Sequence, residues 1–461
     1  MSTPIERATP KTVNPAVGLR TRYSGVRGAL ILLGRAVVLF GLIVWAAGLY
    51  AKAAAIDRGI WPGNPARFAR GLTRFSRAFV RTATRYRGGL IKIGQVASLR
   101  VDVMPEEITE ELARLQDRVP PHPFEEIAAQ LSHELGPAWR DRFDRFSTEP
   151  VASASLGQVH AVTAHDGRRL AVKILYPGVE RSVAVDLAMV RFGLWLFNFV
   201  SPADLRQVYR EVRDSLLGEM DYVREGQAAE EIAGNLARVD ELEPHLRVPT
   251  IDWSTTTRRI LTMEFIDGVK INDRDAVEKL GFDMEALVKW STRAFLHMMF
   301  HDGFFHCDPH PGNLLVDRQG RVVIIDFGMN KRVDLEVLAA LRDNVIATVT
   351  RDPELFADSL VQSEMVRPRD REAVRELALL SFDDRYYNLT PSELAQLDFA
   401  EYFQRIRGQM KRIPGFQLPD GIVMWSRALS LLYGLAVELA PGIRPLDIVG
   451  PFVLDFLRRD P

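Results

Sequence analysis

The chain has 461 residues, of which 47% are hydrophobic and 26% are charged, and its formal net charge is −1. This length allows two or three domains, and the near-neutral charge excludes the strong basic field that is typical of nucleic-acid binding. The single cysteine, Cys307, excludes an internal disulfide framework and suits a reducing compartment or an indifferent one.

The N-terminal region contains a basic tail, residues 1–27, followed by an apolar segment, residues 28–55. Arg35 interrupts the apolar segment, but the 16 residues from Ala36 to Ala51 carry no charge. That length is at the short end of membrane-spanning helices. We therefore predict membrane association through residues 28–55, with a buried core helix as the alternative. Basic residues flank the segment on both sides, so its orientation stays open.

A second apolar pattern occurs at residues 64–88. Phenylalanine and leucine recur there at helical spacing, and six arginines recur on another face: Arg67, Arg70, Arg74, Arg77, Arg81 and Arg85. This pattern predicts an amphipathic helix. Its basic face could lie on anionic lipid headgroups or could be an ordinary solvated surface.

The stretch PVASASLGQVH, residues 150–160, has the spacing of a glycine-rich loop that covers nucleotide phosphates. The positions of the three glycines and the valine are Ala152, Ala154, Gly157 and Val159. Two alanines in place of glycines limit how closely the backbone can approach a phosphate. The match alone is weak, and its interpretation depends on the motifs further along the chain.

The strand-like phrase AVKIL carries Lys173, which could reach the α- and β-phosphates of a nucleotide if a carboxylate orients it. We predict that this carboxylate is Glu225, in a helix that also carries Glu219 and Asp221. The separation of about fifty residues implies an insertion. A later apolar strand ends near Met263, Glu264 and Ile266, where backbone groups of a hinge could hold adenine.

In the phrase GFFHCDPHPGN, Asp308 and Asn313 have the spacing of a kinase catalytic loop, and His306 lies two residues before Asp308. Asp326 is the first residue of a D-F-G triplet further along the chain. Asn313 and Asp326 are candidate oxygen ligands of Mg²⁺, and Asp308 could orient the nucleophile or accept its proton. His301, His306 and His310 suggest a transition-metal site as an alternative. We favour local hydrogen bonds for these histidines.

Four features together resemble the UbiB/AarF family of atypical kinases. They are the K-x-G-Q phrase at Lys92–Gln95, the alanine-rich loop, the E-x-D phrase at Glu219 and Asp221, and FFHCDPHPGN followed by DFG. The E-x-D phrase continues with Glu225, Gly226, Gln227 and Ala228 where the family usually has E-A-x-N.

The resemblance implies an α+β, protein-kinase-like, two-lobed fold. It has a helical K-x-G-Q extension over residues 56–148, an N-lobe with an insertion over 149–265 and a mostly helical C-lobe over 266–461. In the family, the K-x-G-Q lysine and glutamine meet the E-x-D acids, so we expect Lys92 and Gln95 against Glu219 and Asp221 as regulatory contacts.

The resemblance also implies binding of ATP or ADP with Mg²⁺, ATPase or kinase activity, and a role in the biosynthesis of ubiquinone or other prenyl lipids. Expected partners are membrane lipid, prenyl-quinone precursors and lipid-biosynthesis proteins, but not nucleic acid. The kinase-like domain should face an ATP-containing compartment, which is the cytoplasmic side in a bacterium.

Two other hypotheses stand beside this one. The protein could be a nucleotide-sensing scaffold with little catalysis, or a conventional protein kinase. The second ranks lowest because the A-P-E signature does not follow DFG and because Ala152 and Ala154 replace glycines. The C-terminal end, IVGPFVLDFLRRDP, is too short and too charged to cross a bilayer, so we expect any anchor at the N-terminus.

Overall fold

The computed structural model describes residues 21–57, 65–99, 108, 111–112, 115, 120–198, 205–381 and 420–442. Most of the predicted basic tail, residues 1–20, and the C-terminal end, residues 443–461, lie outside this range. The chain divides into two units. The first unit comprises residues 1–227 and 249–265, and the second comprises residues 228–248 and 266–461.

The first unit begins with helices. They are α1 (Gly25–Asp57), α2 (Pro65–Tyr86), α3 (Gly89–Leu99) and α4 (Phe124–Leu135). The predicted apolar segment lies within α1, and the predicted amphipathic helix is α2. The helix α2 ends before Arg87 and Gly88 because both residues have positive φ angles, which α-helices do not accommodate.

An antiparallel sheet comes after these helices. Its strands are β1 (Arg145–Ser153), β2 (Gly157–Thr163), β3 (Arg169–Leu175) and, later in the chain, β5 (Ile260–Glu264), in the spatial order β1-β2-β3-β5. Buried residues dominate β2 and β3, as expected for central strands. The strand β3 therefore has hydrogen-bonded neighbours on both sides, which holds its side chains in fixed directions.

The predicted insertion between Lys173 and Glu225 consists of two helices, α5 (Val179–Asn198) and α6 (Leu205–Gly218), before α7 (Tyr222–Leu236). The prediction that Glu219 and Asp221 lie on a helix is wrong. They form the turn between α6 and α7, where the Asp221 N–H donates to the carbonyl of Gly218. Only Glu225 lies within a helix, in the first turn of α7.

A buried ion pair joins three parts of the first unit. The guanidinium of Arg35 on α1 donates through Nε and Nη2 to the carboxylate of Asp186 on α5, at 2.5 and 2.6 Å. It also donates to the backbone carbonyls of Tyr86 and Arg87, both at 3.0 Å. The exposed fractions of the two side chains are 2% and 0%. The helix α1 is thereby fixed to the insertion and to the turn between α2 and α3.

The remainder of α1 is mostly exposed. Only 11% of its most apolar 18-residue window is buried, so the alternative of a buried core helix is wrong. Aromatic contacts nevertheless attach it to its neighbours. Phe40 stacks on Phe192 of α5 at 6.0 Å, and Trp45 meets Phe75 of α2 edge-on at 5.7 Å.

The second unit has two small sheets. One contains β4 (Leu246–Arg247), β9 (Val322–Ile324), β8 (Leu314–Asp317) and β6 (Gly268–Lys270) in that spatial order, and the other pairs β7 (Phe304–His306) with β10 (Asn330–Arg332). Its helices are α8 (Arg274–Lys279), α9 (Met284–His297), α10 (Leu335–Thr350), α11 (Pro353–Gln362), α12 (Arg371–Ser381) and α13 (Asp420–Leu439). Residues 228–248, which the predicted boundaries place in the N-lobe, belong to this unit.

The second unit positions the catalytic-loop phrase through α9. Asp283 caps this helix by accepting from the N–H groups of Glu285 and Ala286, at 3.2 Å each. One π-helical turn, Met298–Asp302, then leads to Gly303, whose φ of +62° reverses the chain into β7. A side chain at Gly303 would be strained and would place its Cβ 3.0 Å from the carbonyl oxygen of Val333.

We expect Arg35→Leu to lower the free energy of unfolding by about 3–5 kcal/mol, because it leaves the buried Asp186 carboxylate without its cation. The double variant Arg35→Leu/Asp186→Leu should lose less than the sum of the two single variants. Urea unfolding of the wild type, Arg35→Leu, Asp186→Leu and the double variant measures the difference. Arg191→Ala, an exposed position on α5, is the control and should change stability by less than about 0.5 kcal/mol. Strictly additive losses would show that the two charges are not coupled.

Candidate active site

The predicted pair of Lys173 and Glu225 forms in the first unit. Lys173 Nζ lies 2.6 Å from Glu225 Oε1, and both side chains are largely buried. The lysine is on β3, between Val159 of β2 and Leu261 of β5. The ring of Tyr222 lies 5.2 Å from Nζ. A strand lysine is thus held in one direction by a glutamate, as phosphate contact requires.

The predicted phosphate loop is the turn between β1 and β2. Ala152 pairs with Val159 across the hairpin, and the Ala154 N–H donates to the Gly157 carbonyl at 2.8 Å. Gly157 is required here for packing. A Cβ on this residue would lie 2.5 Å from the carbonyl oxygen of Ile174 and 2.6 Å from the hydroxyl of Tyr222.

The predicted hinge residues Met263 and Glu264 end β5. Met263 is buried and pairs with Ala171 of β3 and with Ile251. The Glu264 N–H donates to the Thr250 carbonyl at 2.8 Å, and the next N–H, that of Phe265, donates to the Arg169 carbonyl at 3.0 Å. These two N–H groups already make hydrogen bonds within the first unit. Fewer backbone donors of this segment therefore remain that could bind adenine. Ile266 begins the second part of the other unit.

The K-x-G-Q phrase makes one of its two expected contacts. Lys92 Nζ lies 3.1 Å from Glu219 Oε1, whereas the Gln95 side-chain amide donates to the carbonyl of Leu115 at 3.2 Å. Gly94 allows this close packing, since a Cβ there would lie 2.2 Å from Leu115 Cδ1. The expectation that Gln95 meets an E-x-D acid is therefore corrected.

The second acid of the phrase, Asp221, pairs with Arg258 at 3.2 Å, a partner that the sequence analysis did not identify. The departure from the family pattern at Gly226 also has a physical explanation. A Cβ at Gly226 would lie 2.9 Å from the ring of Trp253 and 3.3 Å from the side chain of Leu261. The indole of Trp253 occupies the space that an alanine would need.

The second unit holds the catalytic-loop residues. Asp308 lies just after β7, and Asn313 ends a single 3₁₀ turn. The Asn313 side-chain amide donates to the Asp308 backbone carbonyl at 3.1 Å and to Asp308 Oδ2 at 3.2 Å. The Asp308 N–H donates to His306 Nδ1 at 3.1 Å. The loop therefore holds Asp308 and Asn313 side by side.

The D-F-G triplet begins at Asp326, two residues after the end of β9. The Gly328 N–H donates to Asp326 Oδ1 at 2.8 Å, and Phe327 is buried against the His306 ring at 5.9 Å. The backbone of Asn313 is tied to the same segment, because its carbonyl accepts from the Ile325 N–H at 3.1 Å. The chain then enters β10 and α10 within a few residues, so the segment after DFG is short.

The donor set of Asn313 and Asp326 fits Mg²⁺, which prefers oxygen ligands. The amide nitrogen of Asn313 is engaged with Asp308, so its Oδ1 is the atom that a cation would use. For the alternative transition-metal site, the described residues contain no group of three His, Cys, Asp or Glu side chains in a metal-binding arrangement. His310 accepts from the Gly312 N–H at 3.0 Å, and His301 stacks on His297.

His306 is fully buried, and burial lowers its pKa despite the nearby carboxylates of Asp308 and Asp326, which oppose the shift. Its ring is therefore neutral, with Nδ1 accepting from the Asp308 N–H. In a neutral imidazole this places the proton on Nε2. The histidine braces the loop and adds no charge to it.

One residue near Asp308 gave no signal in the sequence. Arg427 on α13 donates through Nη2 to Asp308 Oδ1 at 2.7 Å. The two residues are 119 positions apart, and no motif relates them.

A strand lysine oriented by a helix glutamate in one unit, and a catalytic-loop aspartate, its asparagine and D-F-G in the other, define an atypical kinase-like protein with an α+β fold. The comparisons agree. The family model described as the ABC1 atypical kinase-like domain matches residues 114–360, which is more than half of the chain.

Two relatives illustrate the similarity. The chain is 32% identical over 401 residues to the Arabidopsis thaliana protein ACTIVITY OF BC1 COMPLEX KINASE 8, chloroplastic, covering 80% of this chain and 52% of that protein. It is 30% identical over 377 residues to "Probable protein kinase UbiB" of Marinobacter nauticus, covering 80% of this chain and 68% of that protein. This chain thus spans about half to two thirds of the length of these relatives.

Among solved structures, the complex of Rv3197 with erythromycin from Mycobacterium tuberculosis matches with a TM-score of 0.47 and 24% identity, covering 79% of this chain and 95% of that one. The match of the family model and the coverage of the Marinobacter relative decide the classification. The protein belongs to the ABC1 family of atypical kinase-like proteins, the UbiB/AarF family that the sequence resembles.

Buried histidines make stability depend on pH. Burial lowers the pKa of His306 and also that of His160 below the ordinary value of 6.5. The unfolded chain then binds more protons, so these residues contribute stability above about pH 6.5 that is lost as the pH falls. We expect His306→Asn to lose less stability than the wild type between pH 7 and pH 5. Urea unfolding across this range measures the slopes, with the exposed His165→Asn as the control. Identical slopes for wild type and His306→Asn would contradict the assignment.

Proposed function

We propose that the protein binds Mg²⁺–ATP and moves its γ-phosphoryl group to water or to an acceptor, at a membrane surface, in support of ubiquinone or other prenyl-lipid biosynthesis. The observation that carries the proposal is the pair of Lys173 and Glu225 within the first unit. The second unit adds Asp308 and Asn313 on the catalytic loop and Asp326 after β9. A phosphoryl-transfer enzyme needs positioning and charge more than covalent chemistry.

Each residue has a role in this proposal. Lys173, oriented by Glu225, binds the α- and β-phosphates. The loop with Ala152, Ala154, Gly157 and Val159 covers the phosphates, and backbone groups of the segment Met263–Ile266 receive adenine. Asn313 and Asp326 hold Mg²⁺, which when bound neutralises charge on the phosphate oxygens.

Asp308 is the catalytic acid–base group in the proposal. Its carboxylate accepts the proton of the attacking hydroxyl or water while the new bond to the γ-phosphorus forms and the bond to ADP breaks. The proton then passes to solvent. The product is ADP with either inorganic phosphate or a phosphorylated acceptor, so atoms and charges balance without another reactant.

The acceptor is proposed to be a non-peptide molecule. The chain from Gly328 reaches α10 at Leu335, which leaves little length for an activation segment that could bind a peptide. Lys92 is paired to Glu219 in the first unit, as the family's regulatory contact would require. These observations favour an atypical kinase over a conventional protein kinase.

We expect Asp308→Asn to lower ATP turnover by about 10²–10⁴-fold, because it removes the proton acceptor. Binding of Mg²⁺–ADP should persist. Asp326→Ala should lose both turnover and the thermal stabilisation by Mg²⁺–ADP. Phosphate release by the full chain in detergent or vesicles, with and without a quinone-precursor-like phenol, measures turnover. The exposed Asp334→Asn is the control.

The outcomes of this experiment separate the hypotheses. Turnover that rises with vesicles or phenol and disappears in Asp326→Ala supports the enzyme. Tight nucleotide binding with no turnover under any condition would favour the nucleotide-sensing scaffold. Efficient phosphorylation of peptides by the wild type would favour the conventional protein kinase.

The membrane part of the proposal rests on the exposed apolar surface of the first unit. On α1, the side chains of Leu30, Leu33, Val37 and Val44 are exposed. On α5, Phe192 and Trp195 are exposed as well, and Phe192 stacks on Phe40 of α1. Monomeric soluble proteins rarely expose large contiguous apolar patches.

The way in which α1 would meet a membrane depends on Arg35. Because its guanidinium is held by Asp186 and two backbone carbonyls of the same unit, one face of α1 stays on the protein. The opposite face is the one available to lipid. The helix α2 adds the exposed cations Arg70, Arg74, Arg81 and Arg85, which suit anionic headgroups. We propose that the first unit lies on the bilayer with α1 in the interface.

We expect the full chain to bind vesicles of phosphatidylcholine with phosphatidylglycerol more tightly than vesicles of phosphatidylcholine alone. Leu33→Glu/Val37→Glu should weaken binding to both, because it places charge on the apolar face. Arg70→Ala/Arg74→Ala should weaken binding only to anionic vesicles, by roughly fivefold per arginine. Flotation of vesicles with bound protein measures this. Leu217→Glu, at an exposed leucine of α6, is the matched control, and equal losses in both glutamate variants would contradict the proposed surface.

A further inference from the structure

The carboxylate of Asp308 is held on both oxygens by side chains from different parts of the second unit. Oδ1 accepts from Arg427 at 2.7 Å, and Oδ2 accepts from Asn313 at 3.2 Å. Both Asp308 and Arg427 are mostly buried. A carboxylate fixed in this way has one orientation, and a charge-assisted bond to a guanidinium is the stronger of the two.

The catalytic loop itself contains no lysine or arginine. Residues 306–313 read HCDPHPGN, and burial lowers the pKa of His306 so that its ring is neutral. His310 uses its Nδ1 as an acceptor for the Gly312 N–H. The positive charge that faces Asp308 therefore comes from α13, a helix much later in the chain.

The helix α13 is held firmly enough to position a side chain. Its residues Ile422, Met424 and Ala428 are buried. Trp425 meets the ring of Phe300 edge-on at 5.2 Å, next to the π-helical turn that precedes the catalytic loop. At the other end of α13, Arg274 donates to the Leu439 carbonyl at 2.7 Å. Arg427 thus comes from a helix that is fixed near both ends.

The guanidinium of Arg427 has donors beyond the one used by Asp308. Within the part of the chain that the structure describes, its Nε is buried and makes no hydrogen bond. A buried donor of a cation is costly to leave unpaired.

We propose that Arg427 is a positioning residue for phosphoryl transfer. It holds the Asp308 carboxylate towards the nucleophile and offsets the negative charge that Asp308 would otherwise add beside the phosphoryl group. Negative charge spreads over the equatorial oxygens in the transition state, so an uncompensated carboxylate at that place would oppose the reaction. This inference rests on the proposed ATP-dependent function.

The test compares Arg427→Met, Arg427→Ala and Arg427→Lys in the full chain. We expect Arg427→Met to lower kcat for ATP hydrolysis by about 100-fold, the scale of losing one preorganised electrostatic contact, with KM for ATP and Mg²⁺–ADP binding within about twofold. Arg427→Lys should be intermediate, because it restores the charge without the planar fork. Added methylguanidine should restore part of the turnover of Arg427→Ala and leave Asp308→Asn unchanged.

Arg274→Ala is the matched control, because it loosens α13 without touching Asp308. If it loses as much turnover as Arg427→Met, the effect is structural and the inference is overturned. Turnover of Arg427→Met within twofold of wild type, a rise in its turnover, or Arg427→Ala that methylguanidine does not rescue would also overturn it. Absence of turnover in the wild type and in Arg274→Ala would instead refute the proposed function, and this inference with it.

Discussion

The arrangement of the first unit depends on a charge that has been taken out of water. Arg35 lies in an otherwise apolar stretch of α1, and its guanidinium is buried against Asp186 and the carbonyls of Tyr86 and Arg87. An unpaired guanidinium there would be prohibitively costly, so α1, the turn after α2 and the helix α5 must meet at one point. The glycines after Arg87 make this possible. A Cβ at Gly89 would lie 2.9 Å from an oxygen of Asp186.

The same physical requirement recurs at three of the predicted site residues, Lys92, Lys173 and Asp308. Lys92 meets Glu219 and Lys173 meets Glu225 within the first unit, and Arg427 meets Asp308 within the second. In every case the cation and the acid come from different elements. Each pair can therefore form only when those elements have the right relative position within the unit. Buried ion pairs contribute little net stability, yet removing one partner leaves a charge with no compensation. Such pairs therefore make the geometry of the unit specific, and this is the property that a phosphoryl-transfer site needs.

Local patterns predicted a large part of this. Helical periodicity located α2, and motif spacing located Lys173, Asp308, Asn313 and Asp326, because each motif lies within one strand or loop. The pairing of Lys173 with Glu225 was predicted from motif order and family resemblance. The contacts that the sequence did not predict join separate elements, and no motif fixes the number of residues between the two partners. These contacts are the ion pair of Arg258 with Asp221, the hydrogen bond from the Gln95 amide to the Leu115 carbonyl, and the hydrogen bond from Arg427 to Asp308, which lies 119 positions away in the sequence. The turn at Glu219–Asp221 was also missed, because its residues are compatible with a helix and only the packing of α6 and α7 breaks it.

Two helices are long and apolar enough to cross a membrane, and composition alone does not distinguish a helix that is packed within its unit from one that is exposed. The candidate spans are Gly25–Ala53 of α1 and Gly421–Leu439 of α13. Each contains one arginine that is bound to an aspartate of its own unit, Arg35 to Asp186 and Arg427 to Asp308. The difference lies in burial: 44% of the α13 window is buried, against 11% for α1. A larger share of α13 than of α1 is therefore packed within its unit, where the helix brings Arg427 to the catalytic loop. The apolar surface of α1 is left mostly exposed, although Arg35, Phe40 and Trp45 attach the helix to its unit. This exposed face is the one that the proposed contact with lipid would use.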